Sequence, residues 1–186
     1  GLKFTPAPGF FGGASFDVQA SSSGLVSGLG GGLAKAVIVV DAVADTPSVT
    51  DASTDEETQS SSGLVISRNP TNGTEVTHFR ITGIVNGSLF LSDGATPVNN
   101  GDFITFAQGN AGLRFTPTPN FHGAGRFGVQ ASLGNTAVGL GGSVVTATVG
   151  VAPVADTPSV SGATTNGGTR TESGLLITRN VVDGLE

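Results

Sequence analysis

The feature that most constrains this chain is an internal repeat with an offset of 111 residues. Residues 1–21 (GLKFTPAPGFFGGASFDVQAS) return as residues 112–132 (GLRFTPTPNFHGAGRFGVQAS). When residues 1–75 are aligned with residues 112–186, 37 of the 75 positions are identical, which excludes chance similarity. A period of this length is an ordinary size for one domain, and repetition at a fixed period is typical of tandem arrays.

The repeated segment has the pattern of two β-strands joined by a proline-braced loop. Its Leu-x-Phe string alternates like a short strand with one buried face, and the two prolines that follow end that strand. A further Phe closes the loop, a glycine lets the backbone bend, and Phe-x-Val-x-Ala begins a second alternating strand. We therefore expect both copies to form the same part of a sheet.

A second repeated string, ADTPSV, marks the boundary between units. It occupies residues 44–49 and 155–160, each time directly after a run rich in β-branched residues. Its proline favours extended backbone, which predicts a short and semi-rigid link. We expect residues 1–43 to be the C-terminal part of a preceding repeat, residues 44–154 to be one complete unit, and residues 155–186 to begin the next. The chain is thus expected to be part of a longer array.

Within the complete unit, apolar runs alternate with Asn-Gly and Asp-Gly turn signals at a spacing of about ten residues. Thirty glycines and only 12% charged residues favour strands and turns over amphipathic helices. The sequence predicts an all-β fold of tandem Greek-key β-sandwich repeats, immunoglobulin-like in architecture, of about 111 residues each. The expected strands are residues 63–68, 76–84, 88–91, 103–106, 113–115, 127–131 and 143–151.

Period-2 placement of apolar residues also predicts the core of the complete unit. In contrast, the glycine- and serine-rich residues 21–34 fit either a flexible loop or a glycine-loosened strand. Asn72-Gly-Thr and Asn86-Gly-Ser match the glycosylation sequon and are interpreted as turn residues. The predicted core residues are Phe79, Leu89, Ile104, Phe106, Leu113, Phe115, Phe121, Phe127, Val129 and Val149.

Residues 86–132, with NGSLFLSDG, GDFITF and LRFTPTPNFHG in succession, resemble the cadherin-like tandem repeats of giant bacterial surface proteins and RTX-type adhesins. The resemblance extends over the complete unit and both partial ones. It implies an extended array of secreted β-sandwich domains that projects an adhesive tip or builds a matrix. Many such relatives bind calcium between domains, so the resemblance also implies Ca²⁺ as a candidate ligand.

Six acidic residues lie within 17 positions around the first ADTPSV string. Calcium takes six to eight oxygen ligands, and loops with several carboxylates provide them. At the second junction only Asp156 is retained, and the spacing is not that of an EF-hand. The acidic residues have two possible interpretations: a calcium site confined to the first junction, or a solvated acidic linker that keeps the units apart. The candidate ligands are Asp41, Asp45, Asp51, Asp55, Glu56 and Glu57.

No residue pattern indicates catalysis. His78 and His122 are the only histidines, Phe11 replaces the second in the other copy, and the chain has neither cysteine nor a GxSxG nucleophile elbow. We therefore expect no enzyme activity and no catalytic or cofactor-binding residues. The net charge of −6 argues against nucleic acid as a partner. No apolar run approaches the roughly 20 residues needed to insert across a bilayer.

These patterns together predict a structural protein: an extracellular or cell-surface fibre or adhesin stalk. Its expected partners are neighbouring repeats or other copies of itself, and its short proline-braced junctions would set its stiffness. The alternative is an adhesion module that binds a glycan or another surface ligand. The absence of Trp and Tyr counts against sugar stacking.

Overall fold

The computed structural model describes residues 1–181, with 43% of the chain in β-strands and 6% in helix. The all-β class predicted from the sequence is confirmed. One short α-helix, α1 (Phe106–Asn110), and two 3₁₀ turns, Val26–Gly28 and Ala137–Gly139, interrupt the strands. The strands are β1 (Gly12–Ser21), β2 (Leu29–Val40), β3 (Ser48–Val49), β4 (Ala52–Asp55), β5 (Ile66–Ser67), β6 (His78–Val85), β7 (Gly87–Phe90), β8 (Pro97–Val98), β9 (Phe103–Thr105), β10 (Arg114–Pro117), β11 (Gly123–Ser132), β12 (Leu140–Ala152), β13 (Ser159–Val160) and β14 (Ile177–Thr178).

The complete unit is β-sandwich-like, with two main sheets around one core. The larger sheet has the order β4-β12-β11-β6-β9 and the smaller one β10-β7-β8, while the short strands β3 and β5 pair with each other. Neighbouring strands are antiparallel except β4 and β12, which run parallel with Ala52 opposite Val149. The Greek-key connectivity expected from the sequence is not confirmed.

Alternating apolar side chains fill the space between the sheets, as predicted. Eight of the ten predicted core residues are buried, whereas Phe106 and Phe121 are half-buried and pack against the core from its margin. The Phe115 ring lies between Gly87 of β7 and Gly125 of β11. A Cβ atom at either glycine would come within 2.4 Å of that ring, so the packing of Phe115 requires glycine at both positions.

The predicted strand at residues 103–106 ends one residue early because α1 begins at Phe106. Thr105 Oγ1 accepts a hydrogen bond from Gln108 N, and Gln108 Oε1 accepts one from Thr105 N. This capping box satisfies two N–H groups of the first turn and favours helix over a longer strand. The T-x-x-Q signal is present in the sequence, so this difference could have been anticipated.

Strand pairs that are 111 residues apart in the sequence have the same register. This applies to residues 1–43, to the complete unit and to the described residues after it. In the hairpin β1–β2, Gly12 lies opposite Val40 with a bulge after Val18, and β11–β12 repeats that register with its bulge at the equivalent position. The pair β13–β14 repeats β3–β5 in the same way. Of the glycine- and serine-rich residues 21–34, Ser21 ends β1, residues 22–28 form a turn, and residues 29–34 form the first half of β2.

Residues 182–186, the last of the segment expected to begin a third unit, lie outside the described residues. Within residues 1–181, no helix combines the length and the apolar character needed to cross a bilayer.

Candidate inter-unit junction

The link between the N-terminal hairpin and the complete unit is held by the side chain of Asn72. Its Oδ1 accepts a hydrogen bond from Asp45 N (2.9 Å), and its Nδ2 donates to Val43 O (3.1 Å) and Asp45 Oδ2 (3.1 Å). Thr71 Oγ1 donates a further bond to Asp45 Oδ2 at 2.8 Å. Since the amide of Asn72 uses its acceptor and both donor hydrogens, neither Asp nor Ala can reproduce this arrangement.

The following residues of the link run tightly along the start of β12. Asn69 Nδ2 donates to Thr46 O (3.1 Å), and Thr46 Oγ1 accepts from Ser143 N (2.9 Å). Ala44 is buried in the core, and a Cβ at Gly141 would lie only 2.1 Å from its carbonyl oxygen. The link is therefore part of the packed unit and not a free tether.

A loop of the preceding repeat also contacts the complete unit. We call residues 6–11 the proline loop and residues 69–75 the Asn72 loop. The two loops face each other across a cleft of about 280 Å³ that residues of both of them line. At the closest approach, a Cβ built on Gly9 would lie 2.5 Å from Thr71 O, so only glycine fits there.

The six candidate calcium ligands are distributed over both ends of the unit. Asp45 precedes Thr46, whose backbone N would lie 2.2 Å from a Cβ at Gly142, close to the start of β12. Asp55 pairs with Ala152 at the other end of the same strand. Because β12 has 13 residues that rise about 3.3 Å each, these ends are on the order of 40 Å apart.

Three of the six carboxylates already accept hydrogen bonds inside the unit. Besides Asp45, Asp51 Oδ1 accepts from Thr148 N (2.7 Å), and Glu56 Oε1 accepts from Val154 N (2.6 Å). Glu56 is buried, so its role is to hold the outgoing chain against the turn after β4. The other three side chains are exposed: Asp41, Asp55 and Glu57.

Nowhere in residues 1–181 do three or more His, Cys, Asp or Glu side chains stand together in a group that could hold a metal ion. The six carboxylates are close in sequence, but β3 and β4 carry the chain from one end of the unit to the other between them. Calcium at the first junction stays a prediction from the sequence, and the structure gathers these residues at no single point.

The residues that organise the junction were not singled out from the sequence. From the sequence, Asn72 is a sequon residue interpreted as part of a turn, and its partner Asp45 lies 27 positions earlier in the chain. Glu75 also lines the cleft, where its Oε1 accepts from Gly73 N (2.9 Å) and its buried Oε2 has no hydrogen-bond partner. The only available signal was the polar, turn-forming string NPTNG.

The two histidines lie at opposite ends of β11. His78 is opposite Ser132, the last residue of that strand, and His122 directly precedes its first residue, Gly123. A ten-residue strand separates them by roughly 30 Å. His78 Nδ1 shares a hydrogen bond with Thr77 Oγ1 at 2.8 Å. The structure therefore does not bring the two imidazoles together.

Comparison of the chain with protein-family models, with curated proteins and with solved structures gives no match.

Proposed function

We propose that this chain is a structural repeat protein of an extracellular fibre or adhesin stalk, in which β-sandwich units follow one another as an extended array. The observation that carries the proposal is that equivalent residues are buried in the complete unit and exposed in residues 1–43. Phe115 and Phe127 are 0% exposed, whereas their equivalents Phe4 and Phe16 are 48% and 38% exposed. Phe4 and Phe16 therefore lack the cover that their equivalents have in the complete unit.

The complete unit indicates what covers such a hairpin. There, β11 lies between β6 and β12 in the larger sheet, and the smaller sheet packs on its apolar face. Within the described residues, β1 pairs with β2 alone. Open strand edges and apolar faces attract further strands. The strands that fit this face carry the pattern of residues 44–111, which another copy of the repeat supplies.

The positions of the two ends of the unit support an extended arrangement. The link at Ala44 lies beside the start of β12, and the chain leaves after the end of that strand at Ala152. Successive units joined in this way advance by about the length of β12. The expected axial repeat is on the order of 40–50 Å.

Negative-stain electron microscopy of the native material, together with its denatured mass, tests the proposal. We expect filaments or rods with that axial repeat, built from chains that contain many near-copies at the 111-residue spacing. Antibodies against the complete unit should label intact cells without permeabilisation. Compact particles that contain a single 18.3 kDa species would contradict the array.

A further inference from the structure

We propose that the Asn72 loop is a docking surface for the proline loop of the preceding copy, and that this contact fixes the angle between the two units at the first junction. The inference rests on the proposed function, because it specifies how units of the array contact each other. The occupant is a second copy of the repeat in the same chain, and at the first junction the proline loop of residues 6–11 lines the same cleft as Asn72 and Glu75.

The docking surface is presented rigidly. The side chains of Asn69, Thr71 and Asn72 all hydrogen-bond to residues 43–46, and the bond distances lie between 2.8 and 3.1 Å. The link therefore cannot swing without breaking several bonds at once. In addition, the Thr71 carbonyl oxygen, the atom nearest to a Cβ built on Gly9, belongs to this hydrogen-bonded Asn72 loop. The same loop therefore holds the link at residues 43–46 and contacts the proline loop.

The shape of the surface selects its occupant. Gly9 has a φ of +73° and no side chain, and this allows the proline loop to approach the Thr71 carbonyl closely. The equivalent position in the complete unit is Asn120, which also has a positive φ of +57°. The two loops thus bend alike, but the loop with Asn120 carries a side chain where the Asn72 loop leaves no space. We infer that the Asn72 loop accepts a copy with glycine at this position and excludes one with asparagine.

The most direct test is Gly9→Asn. It places in the proline loop the residue type found at the equivalent position of the complete unit, Asn120. Asparagine tolerates positive φ, so the loop itself should still form. The matched control is Gly31→Asn. Gly31 also has a φ of +73°, but nothing lies within 4 Å of a Cβ built there. The two variants therefore share the backbone strain and differ in the clash with Thr71.

The measurement is ¹⁵N relaxation of the full chain, which gives a rotational correlation time for amides in β1–β2 and for amides in β11–β12. In the unaltered chain we expect one shared correlation time. Gly9→Asn should shorten the correlation time of the β1–β2 amides, so that it no longer equals that of the β11–β12 amides. Asn72→Ala should have the same effect, because it removes the hydrogen bonds that hold the Asn72 loop to the link. Gly31→Asn should leave the shared value intact.

A hairpin that tumbles independently in the unaltered chain would overturn the inference, and so would equal behaviour of Gly9→Asn and Gly31→Asn. These failures are distinct from a failure of the proposed function. Filaments with freely bending junctions would retain the array and reject the docking surface. A rigid junction in material that forms no filaments would do the reverse.

Discussion

At the residue scale, identical side chains at repeat-equivalent positions have different surroundings. Phe115→Ala should lower the free energy of unfolding by about 3–5 kcal/mol, because Gly87 and Gly125 offer no side chains to fill the cavity. Phe4→Ala is the matched control: Phe4 is 48% exposed, and its loss should cost no more than about 0.5 kcal/mol. Urea denaturation followed by circular dichroism measures both. Equal losses would show that Phe4 is already covered in solution.

Asp93 tests the electrostatics of a single turn. Its Oδ1 accepts from Ala95 N and Thr96 N at 2.9 Å, and its Oδ2 accepts from Thr96 Oγ1. These bonds, that of the Thr96 hydroxyl foremost, hold the pKa of Asp93 below its ordinary value. The ionised carboxylate therefore stabilises the fold above the unfolded-state pKa of about 3.9, and this contribution disappears as pH falls through the folded-state pKa.

Thr96→Val should accordingly raise the pKa of Asp93 toward its ordinary value. The free energy of unfolding should then fall less steeply as the pH is lowered. NMR titration of the Asp93 carboxyl carbon measures the pKa directly. Ser92→Ala removes a neighbouring hydroxyl that makes no bond to Asp93 and serves as the control. An unchanged pKa in Thr96→Val would show that the backbone donors alone hold the carboxylate.

At the element scale, two of the glycines in β12 differ in the space around them: Gly141 is packed against the link, and Gly150 has open space. Gly141→Ala would place a methyl group 2.1 Å from the Ala44 carbonyl, so the link must move away from the strand. We expect a loss of about 1–3 kcal/mol in the free energy of unfolding. Gly150→Ala faces open space and should be neutral or stabilise by about 0.5–1 kcal/mol. Thermal denaturation compares them, and similar melting temperatures would contradict the packed link.

Elements with a strong local signal were predicted well from the sequence. The long strands β6, β11 and β12 follow period-2 alternation between turn signals, and a one-residue shift would turn their apolar faces to solvent. The short strands β3, β4 and β8 were not predicted, because two to four residues are too few to show a periodicity of their own. The five-residue helix α1 is decided by its capping box rather than by amphipathic pattern.

The junction could be predicted in position but not in mechanism. ADTPSV marked the link, since its proline and its recurrence are visible in the chain itself. The Asn72 clamp, however, depends on side chains that only the folded unit brings to residues 43–46. The same limitation explains why the six acidic residues do not gather at one point. They are close in the sequence, but β3 and β4 separate them in the fold.

At the scale of the whole molecule, the two ends of the complete unit lie at opposite ends of the parallel pair β4 and β12. The chain reaches β4 from the end where Ala44 packs and leaves after β12 at the other end. Because β4 and β12 are parallel neighbours, tension along the array slides one past the other. All hydrogen bonds of the pair are then loaded together and not one after another. Asp51 adds its bond to Thr148 N at the edge of this pair.

Single-molecule pulling on the full chain should therefore unfold the complete unit in one step at a well-defined force. Its 111 residues, at about 3.6 Å each, less the folded length of about 40 Å, predict a contour-length gain of roughly 360 Å. Asp51→Ala removes one bond from the loaded pair and should lower the unfolding force. Thr96→Val alters a turn between β7 and β8, away from the load, and should leave the force unchanged. If both variants lowered the force equally, resistance would follow overall stability, and the shear geometry of β4 and β12 would not govern it.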